Sequence, residues 1–188
     1  MKPLLSLALS FMFLIINNHS LATEKNKEDT VVAYFAGGCF WGVEYYFEKQ
    51  KGVIDAVSGY MGGNKEYPSY HDVSYKNTGH IEVVAVEYNA KEVDYETLAR
   101  LFFEIHDPTQ VDGQGPDIGE QYLSVAFYNH EKEKKILHKL ISLLKKNNYE
   151  VATTVRPVKT FWVAEKYHQD YYVKKNGTPY CHAYTKRF

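Results

Sequence analysis

The stretch HIEVVAVEY, residues 80–88, alternates as a β-strand does but is largely apolar on both faces. Ile81, Val83 and Ala85 lie on one side, and Glu82, Val84 and Val86 on the other. A strand with two apolar faces has to run through the middle of a sheet that is covered on both sides. The rest of the chain must therefore supply neighbouring strands and the layers that cover them. Residues 31–36, 53–60, 122–128 and 153–158 are apolar runs of strand length bounded by turn residues.

Between these runs the apolar period changes to that of a helix. Residues 39–50 place Phe40, Val43 and Phe47 at helical spacing and stop just before Gly52. Asp94 caps a helix expected over residues 95–105. Residues 131–146 carry Ile136, Leu137, Leu140, Ile141 and Leu144 on one face, with lysines mostly opposite, which reads as a solvated face. Residues 61–79 and 106–120 are rich in turn formers and read as irregular. Strands alternating with helices predict an α/β (α+β) chain: a single two-layer domain with a mixed β-sheet and packed helices. Its expected centre is a ferredoxin-like βαβ core with long irregular loops.

Composition narrows the function classes. The 188 residues are 45% hydrophobic and 15% aromatic, enough for a folded core and too apolar for a disordered chain. A net charge of -1 lacks the basic excess of a nucleic-acid binder. Two cysteines exclude a disulfide scaffold and a four-cysteine zinc site. The start is different: Lys2, an uncharged run at residues 4–16 and then Ser20-Leu21-Ala22 follow the secretory-signal pattern. Residues 1–22 are expected to be a signal peptide, residues 23–30 a flexible lead-in, and residues 31–188 the working domain. That run is short for a membrane span, so the mature chain is expected to leave the membrane, exported to the periplasm or secreted; the alternative is an uncleaved membrane anchor. Export puts Cys39 and Cys181 in an oxidising compartment.

Three residues suggest chemistry, each with a plainer reading beside it. Cys39 follows Gly37-Gly38 and opens a helix, where unpaired N–H groups favour a thiolate; it also reads as a buried structural cysteine. Glu82 sits in an apolar strand, where desolvation would raise its pKa and make it a proton donor; it also reads as a sheet-end acid reaching solvent or an arginine. Cys181, in the loop-like tail GTPYCHAYTKRF, could swing to an oxidised Cys39 or form a static staple with it. His168 and His182 are candidates for a zinc ligand or a base, but neither has ligand spacing on both sides.

The blocks GGCFWGVE (37–44), GYMGG (59–63), PSY (68–70), TGHIEVVAVEY (78–88), FFEIHDPTQ (102–110), QGPDIGEQY (114–122) and FWVAEKYHQDYY (161–172) resemble, in order, the A-class peptide methionine sulfoxide reductases. These enzymes repair oxidised methionine. The resemblance implies Cys39 as nucleophile, Phe40 and Trp41 as the lining for the substrate methyl group, and Glu82 as proton donor. It implies Tyr70, Asp117 and Tyr122 as polar groups at the sulfoxide oxygen or a water beside it, and Cys181 as the resolving cysteine. Methionine S-sulfoxide, free or within peptides and proteins, would be reduced through a Cys39 sulfenic acid and a Cys39–Cys181 disulfide, which a thioredoxin-like protein would reopen. No metal, other cofactor or nucleic acid is implied, and the enzyme is expected to be a monomer.

Two departures stand out. The tail has no glycine after Gly177 and no third thiol, and Ser74 stands where several relatives have cysteine. Two other readings compete: a secreted thiol hydrolase with Cys near Trp and a distant His, and a non-catalytic module stapled by Cys39 and Cys181.

Overall fold

The computed structural model describes residues 29–188. The expected signal peptide and the lead-in up to residue 28 lie outside the described residues.

The first unit is β1 (Thr30–Gly37), α1 (Phe40–Glu48) and β2 (Val53–Met61). After α2 (Tyr70–Tyr75) come β3 (Ile81–Asn89) and α3 (Tyr95–Ile105). A two-strand ribbon of β4 (Gly113–Gln114) and β5 (Asp117–Ile118) precedes β6 (Ser124–Tyr128) and α4 (Glu131–Lys146). The chain closes with β7 (Thr154–Pro157), β8 (Trp162–Val163) and α5 (Tyr171–Lys175).

The main sheet runs β7-β6-β1-β3-β2-β8. Its centre, β6-β1-β3-β2, is antiparallel throughout and has the ferredoxin-like order expected of two βαβ halves. Pairing of β7 with β6 is parallel, so the whole sheet is mixed. The HIEVVAVEY strand lies between β1 and β2, and its residues 81–86 are all buried. On one face, Phe35, Val84 and Val86 pack under Phe47, Phe102 and Leu137 from α1, α3 and α4. Phe35 stacks on Phe47 and on Phe102, each at 5.1 Å between centroids. A fully buried Phe contributes about 2–3 kcal/mol by area alone. The opposite face, with Ala36, Met61, Val83 and Phe127, is covered by Val158 and Phe161 from the chain that leads into β8.

Four local readings are corrected. Residues 61–79 are not irregular throughout: Ser69 and Asp72 form a reciprocal capping box that holds α2. Residues 106–120 contain the β4–β5 ribbon, which turns at Gly115-Pro116. The strand expected from residue 122 begins at Ser124, because Glu120–Tyr122 is a 3-10 turn. Cys39 is the N-cap of α1 and not its first helical residue.

The tail after α5 has no regular structure but is tied down. The Thr185 N–H donates to the Glu104 carbonyl at 2.7 Å. The Arg187 guanidinium donates to the carbonyls of Phe103 at 2.9 Å and His106 at 3.1 Å. These carbonyls are left over at the C-terminal end of α3, where a cation is favoured. The anchor sets where Cys181, six residues upstream of Arg187, is held.

Candidate active site

Three elements converge on the end of β1. Gly38, at φ +94°, turns the chain from β1 into α1, a conformation that costs other residues strain. A Cβ there would also overlap Gln114, whose Oε1 accepts from the Asp107 N–H at 2.9 Å. The turn leaves Cys39 as N-cap, with no side-chain capping bond of its own. The next amide is satisfied from the sheet: the Phe40 N–H donates to Glu82 Oε2 at 3.0 Å, within the protein interior. Register explains the meeting, since Glu82 sits opposite Tyr60 on β2, and Tyr60 packs on Phe40 at 5.8 Å.

Glu82 is 2% exposed, which removes the reading of an acid reaching solvent. Burial pushes its carboxyl up to about 8, against the opposing hydrogen bond from Phe40; nearby Asp117 adds to the rise. Around neutral pH it therefore holds a proton. Tyr122 is half-buried, and its phenol is pushed above the ordinary range by burial, then by Glu82, Tyr70 and Cys39. It stays a donor.

Cys39 and Cys181 are both free and buried, and their sulfurs and an Asp117 carboxylate oxygen all lie within 4.8 Å of one another. Asp117 Oδ2 is buried without a partner among the described residues, while Oδ1 accepts from Tyr180 Oη at 3.4 Å. The expectation that a helix start makes Cys39 a thiolate is not met in this closed arrangement. Its closeness to Cys181, then burial, push the Cys39 thiol up, and Glu82 adds to the rise once it ionises. Cys181 moves down instead, held by Cys39 and, against its own burial, by His182. Two sulfurs this close titrate as a coupled pair, and in the reduced, closed site the neighbouring sulfur favours the protonated form of Cys39. The N–H groups of α1 can favour a Cys39 thiolate once Cys181 withdraws.

The aromatic side of the site is built mainly by the block at 161–172. Trp41 stacks on Tyr171 at 3.7 Å with planes 3° apart, and its Nε1–H donates to His168 Nδ1 at 3.0 Å. His168 is 1% exposed, packed by Phe40, Tyr70 and Tyr167, and burial lowers its pKa. A ring whose Nδ1 accepts from an indole is neutral, and it serves to orient Trp41. With Nδ1 engaged it is not placed as the base considered from sequence, and the cluster of metal-ligand side chains found among the described residues does not include it. Glu165, which the sequence reading left without a role, accepts from the Tyr70 N–H at 2.8 Å and from Tyr60 Oη at 2.9 Å. It thereby fixes the start of α2 and the Tyr70 backbone. Only the repetition of polar residues within AEKYHQDYY hinted at such a framework.

Cys39, Phe40, Trp41, Tyr70, Glu82, Asp117, Tyr122 and Cys181 thus come from α1 and its N-cap, α2, β3, the β4–β5 ribbon, the 3-10 turn after it and the tail to one place. A carboxyl that keeps its proton beside a pair of thiols is equipped to take oxygen from a substrate atom and close a disulfide, the chemistry of a dithiol oxidoreductase.

Comparison with known proteins narrows that class. The family profile described as peptide methionine sulfoxide reductase matches residues 31–188. The chain is 46% identical over 149 residues to the peptide methionine sulfoxide reductase MsrA of Nautilia profundicola, covering 79% of this chain and 86% of that one. The crystal structure of Mxr1 from Saccharomyces cerevisiae in reduced form superposes with a TM-score of 0.78 at 32% identity, covering 87% of this chain and 95% of that chain. Mxr1 in complex with Trx2 gives a TM-score of 0.56 at 25% identity, over 85% and 92% of the two chains. This chain belongs to the peptide methionine sulfoxide reductase family. The thiol-hydrolase reading is not favoured: His168 is engaged by Trp41 and His182 faces Cys181, and no other imidazole among the described residues is hydrogen-bonded to Cys39.

Proposed function

We propose that this protein reduces methionine S-sulfoxide to methionine, with Cys39 as nucleophile and Glu82 as proton donor. The observation that carries this reading is the buried, proton-holding Glu82, hydrogen-bonded to the amide that follows Cys39. A sulfoxide oxygen leaves poorly without a proton, and Glu82 and Tyr122 supply donors where that oxygen would sit. Phe40 and the Trp41 face line the side on which a methyl group would rest. Attack by the Cys39 thiolate forms an S–O-bearing Cys39, the sulfenic acid, and releases methionine. Cys181 then condenses with it to a disulfide and water. The proximity of the two sulfurs supports that step.

A thioredoxin-like protein would reopen the disulfide, a reading supported by the complex formed by the yeast relative. The N-terminal apolar run supports an exported enzyme.

The test is Cys181→Ser. With substrate and no reductant, the variant should release about one methionine per chain and stop at a trappable Cys39 sulfenic acid. Dithiothreitol should sustain part of its turnover, and thioredoxin should sustain almost none. Recycling by thioredoxin at the wild-type rate would remove Cys181 from the mechanism.

His168→Ala probes the aromatic wall. Loss of the indole's acceptor costs about 1–3 kcal/mol. If that cost falls on substrate binding, KM rises about 5- to 150-fold. The methionine burst at saturating substrate should survive, and His168→Asn, with an amide oxygen near the Nδ1 position, should recover most of the KM. A burst lost at saturation would place His168 in the chemical step.

A further inference from the structure

The resolving half of the reaction needs a thiolate at Cys181, and the tail brings its own candidate to produce one. We propose that His182 is the general base that takes the proton from Cys181 and makes it the nucleophile toward the Cys39 sulfenic acid.

The tautomer is set by the backbone. His182 Nε2 lies 2.7 Å from the carbonyl oxygen of Gly37, a group that only accepts, so Nε2 carries the hydrogen. In the neutral ring Nδ1 is then a lone pair, and it lies 3.1 Å from Cys181 Sγ. The ring is 5% exposed and rests against α1 at Gly42, where any Cβ would overlap it. A glycine inside a helix is less favourable than alanine; at this position it makes room for the imidazole. Gly37 and Gly42 thus hold the ring from both sides of Cys39, and the adjacent Cys181 is delivered to the reacting sulfur.

While Cys39 is a thiol it favours the Cys181 anion most, but once Cys39 carries oxygen that help is gone and His182 is left as the group that lowers Cys181. Burial and the Asp117 carboxylate both act against the anion. Cys39 and Glu82 from α1 and β3, Tyr172 from α5, and Tyr180 beside it in the tail also face this thiol, and His106 at the end of α3 faces the His182 ring. His106 donates from Nδ1 to the Phe102 carbonyl, and burial lowers its pKa to about 3, so it remains neutral. His182 is the imidazole that touches the thiol.

The step balances. Cys181 gives its proton to Nδ1 and its sulfur attacks the sulfenic sulfur. The S–S bond forms as the S–O bond breaks, and hydroxide leaves as water on taking up a proton equivalent to the one removed. One thiol and one sulfenic acid become one disulfide and one water. Cys181 is oxidised, the sulfenic sulfur is reduced, and no outside reagent is used.

The proposal rests on the disulfide route above, and the experiment separates the two. Full-length wild type, His182→Gln and His182→Asn are reduced, freed of reductant and mixed with a methionine sulfoxide peptide. Methionine release and the Cys39–Cys181 disulfide are followed separately by rapid quench and mass spectrometry, from pH 6.5 to 9.5. Glutamine can still donate toward the Gly37 carbonyl but offers no base at the Nδ1 position. Asparagine offers an amide near that position which cannot take up a proton. Methionine release should be unchanged in both variants, which also reports an intact start of α1. Disulfide formation should slow about 100-fold at pH 6.5, the factor by which an ordinary thiol of pKa near 8.5 is un-ionised there. The deficit should shrink to a few-fold at pH 9.5. Disulfide formation within threefold of wild type at pH 6.5 overturns the proposal. So does an equal slowing at every pH, which would mean that His182 only seats the tail. Loss of the methionine burst in both variants would overturn the assignment to the second step. Absence of the disulfide in wild type would instead overturn the route on which the proposal rests.

Discussion

Replacing Cys39 by serine is expected to abolish sulfoxide reduction with every reductant while leaving the fold at least as stable. The hydroxyl is a far weaker nucleophile toward sulfur than a thiolate and cannot carry a sulfenic acid on to a disulfide, so no intermediate replaces the lost one. The fold is spared for a local reason. Cys39 is the N-cap of α1 and makes no side-chain cap bond, and serine is a preferred N-cap that can accept from an amide of the first turn. A gain of about 0.5–1 kcal/mol is the usual scale for that change. The checks are methionine production by chromatography beside thermal unfolding of the same sample. Retained steady turnover would show that Cys39 is not the nucleophile, and unfolding below wild type would overturn the capping argument.

Glu82→Gln is expected to slow methionine release by roughly 10²–10⁴-fold, the range for loss of a general acid. Glutamine still accepts from the Phe40 N–H through its amide oxygen, so the turn into α1 should persist. Wild-type release should decline as pH rises through about 8, where the buried carboxyl gives up its proton. The variant's small residual rate should lack that decline. The same group gives a stability signature. Its folded value, about 8, lies above the unfolded value near 4.3, so the folded chain binds the extra proton between these limits. That contribution is fully present below about pH 4 and is lost as pH rises through about 8. Wild type should therefore lose stability between pH 5 and 9 relative to Glu82→Gln in denaturant titrations. Equal slopes for the two proteins would mean that Glu82 titrates as an ordinary carboxylate.

Much of the scaffold follows from pattern. Alternation in the two-sided apolar strand places it at the centre of the sheet, and the period of 95–105 and 131–146 defines α3 and α4 to the residue. Short elements did not carry that signal. The six residues of α2 are held by one capping box, and β8 is two residues paired with Gly59 and Tyr60. Neither is long enough to show a period.

The sequence alone carries the family, through seven ordered blocks, and within them the residues expected to do chemistry. It also contains Glu82 in an apolar strand, whose raised pKa follows from desolvation however the sheet is drawn. Which groups touch was decided by tertiary structure, because hydrogen bonds and proton sharing act over about 3 Å between residues far apart in the chain. Trp41 and His168 are 127 positions apart, and His182 and Gly37 are 145 apart. The docked tail also reversed the local inference for Cys39. A helix start favours a thiolate, but a second buried sulfur in contact keeps the proton there. Pairwise contact of buried groups outweighs local helix electrostatics, and only the folded chain creates that contact.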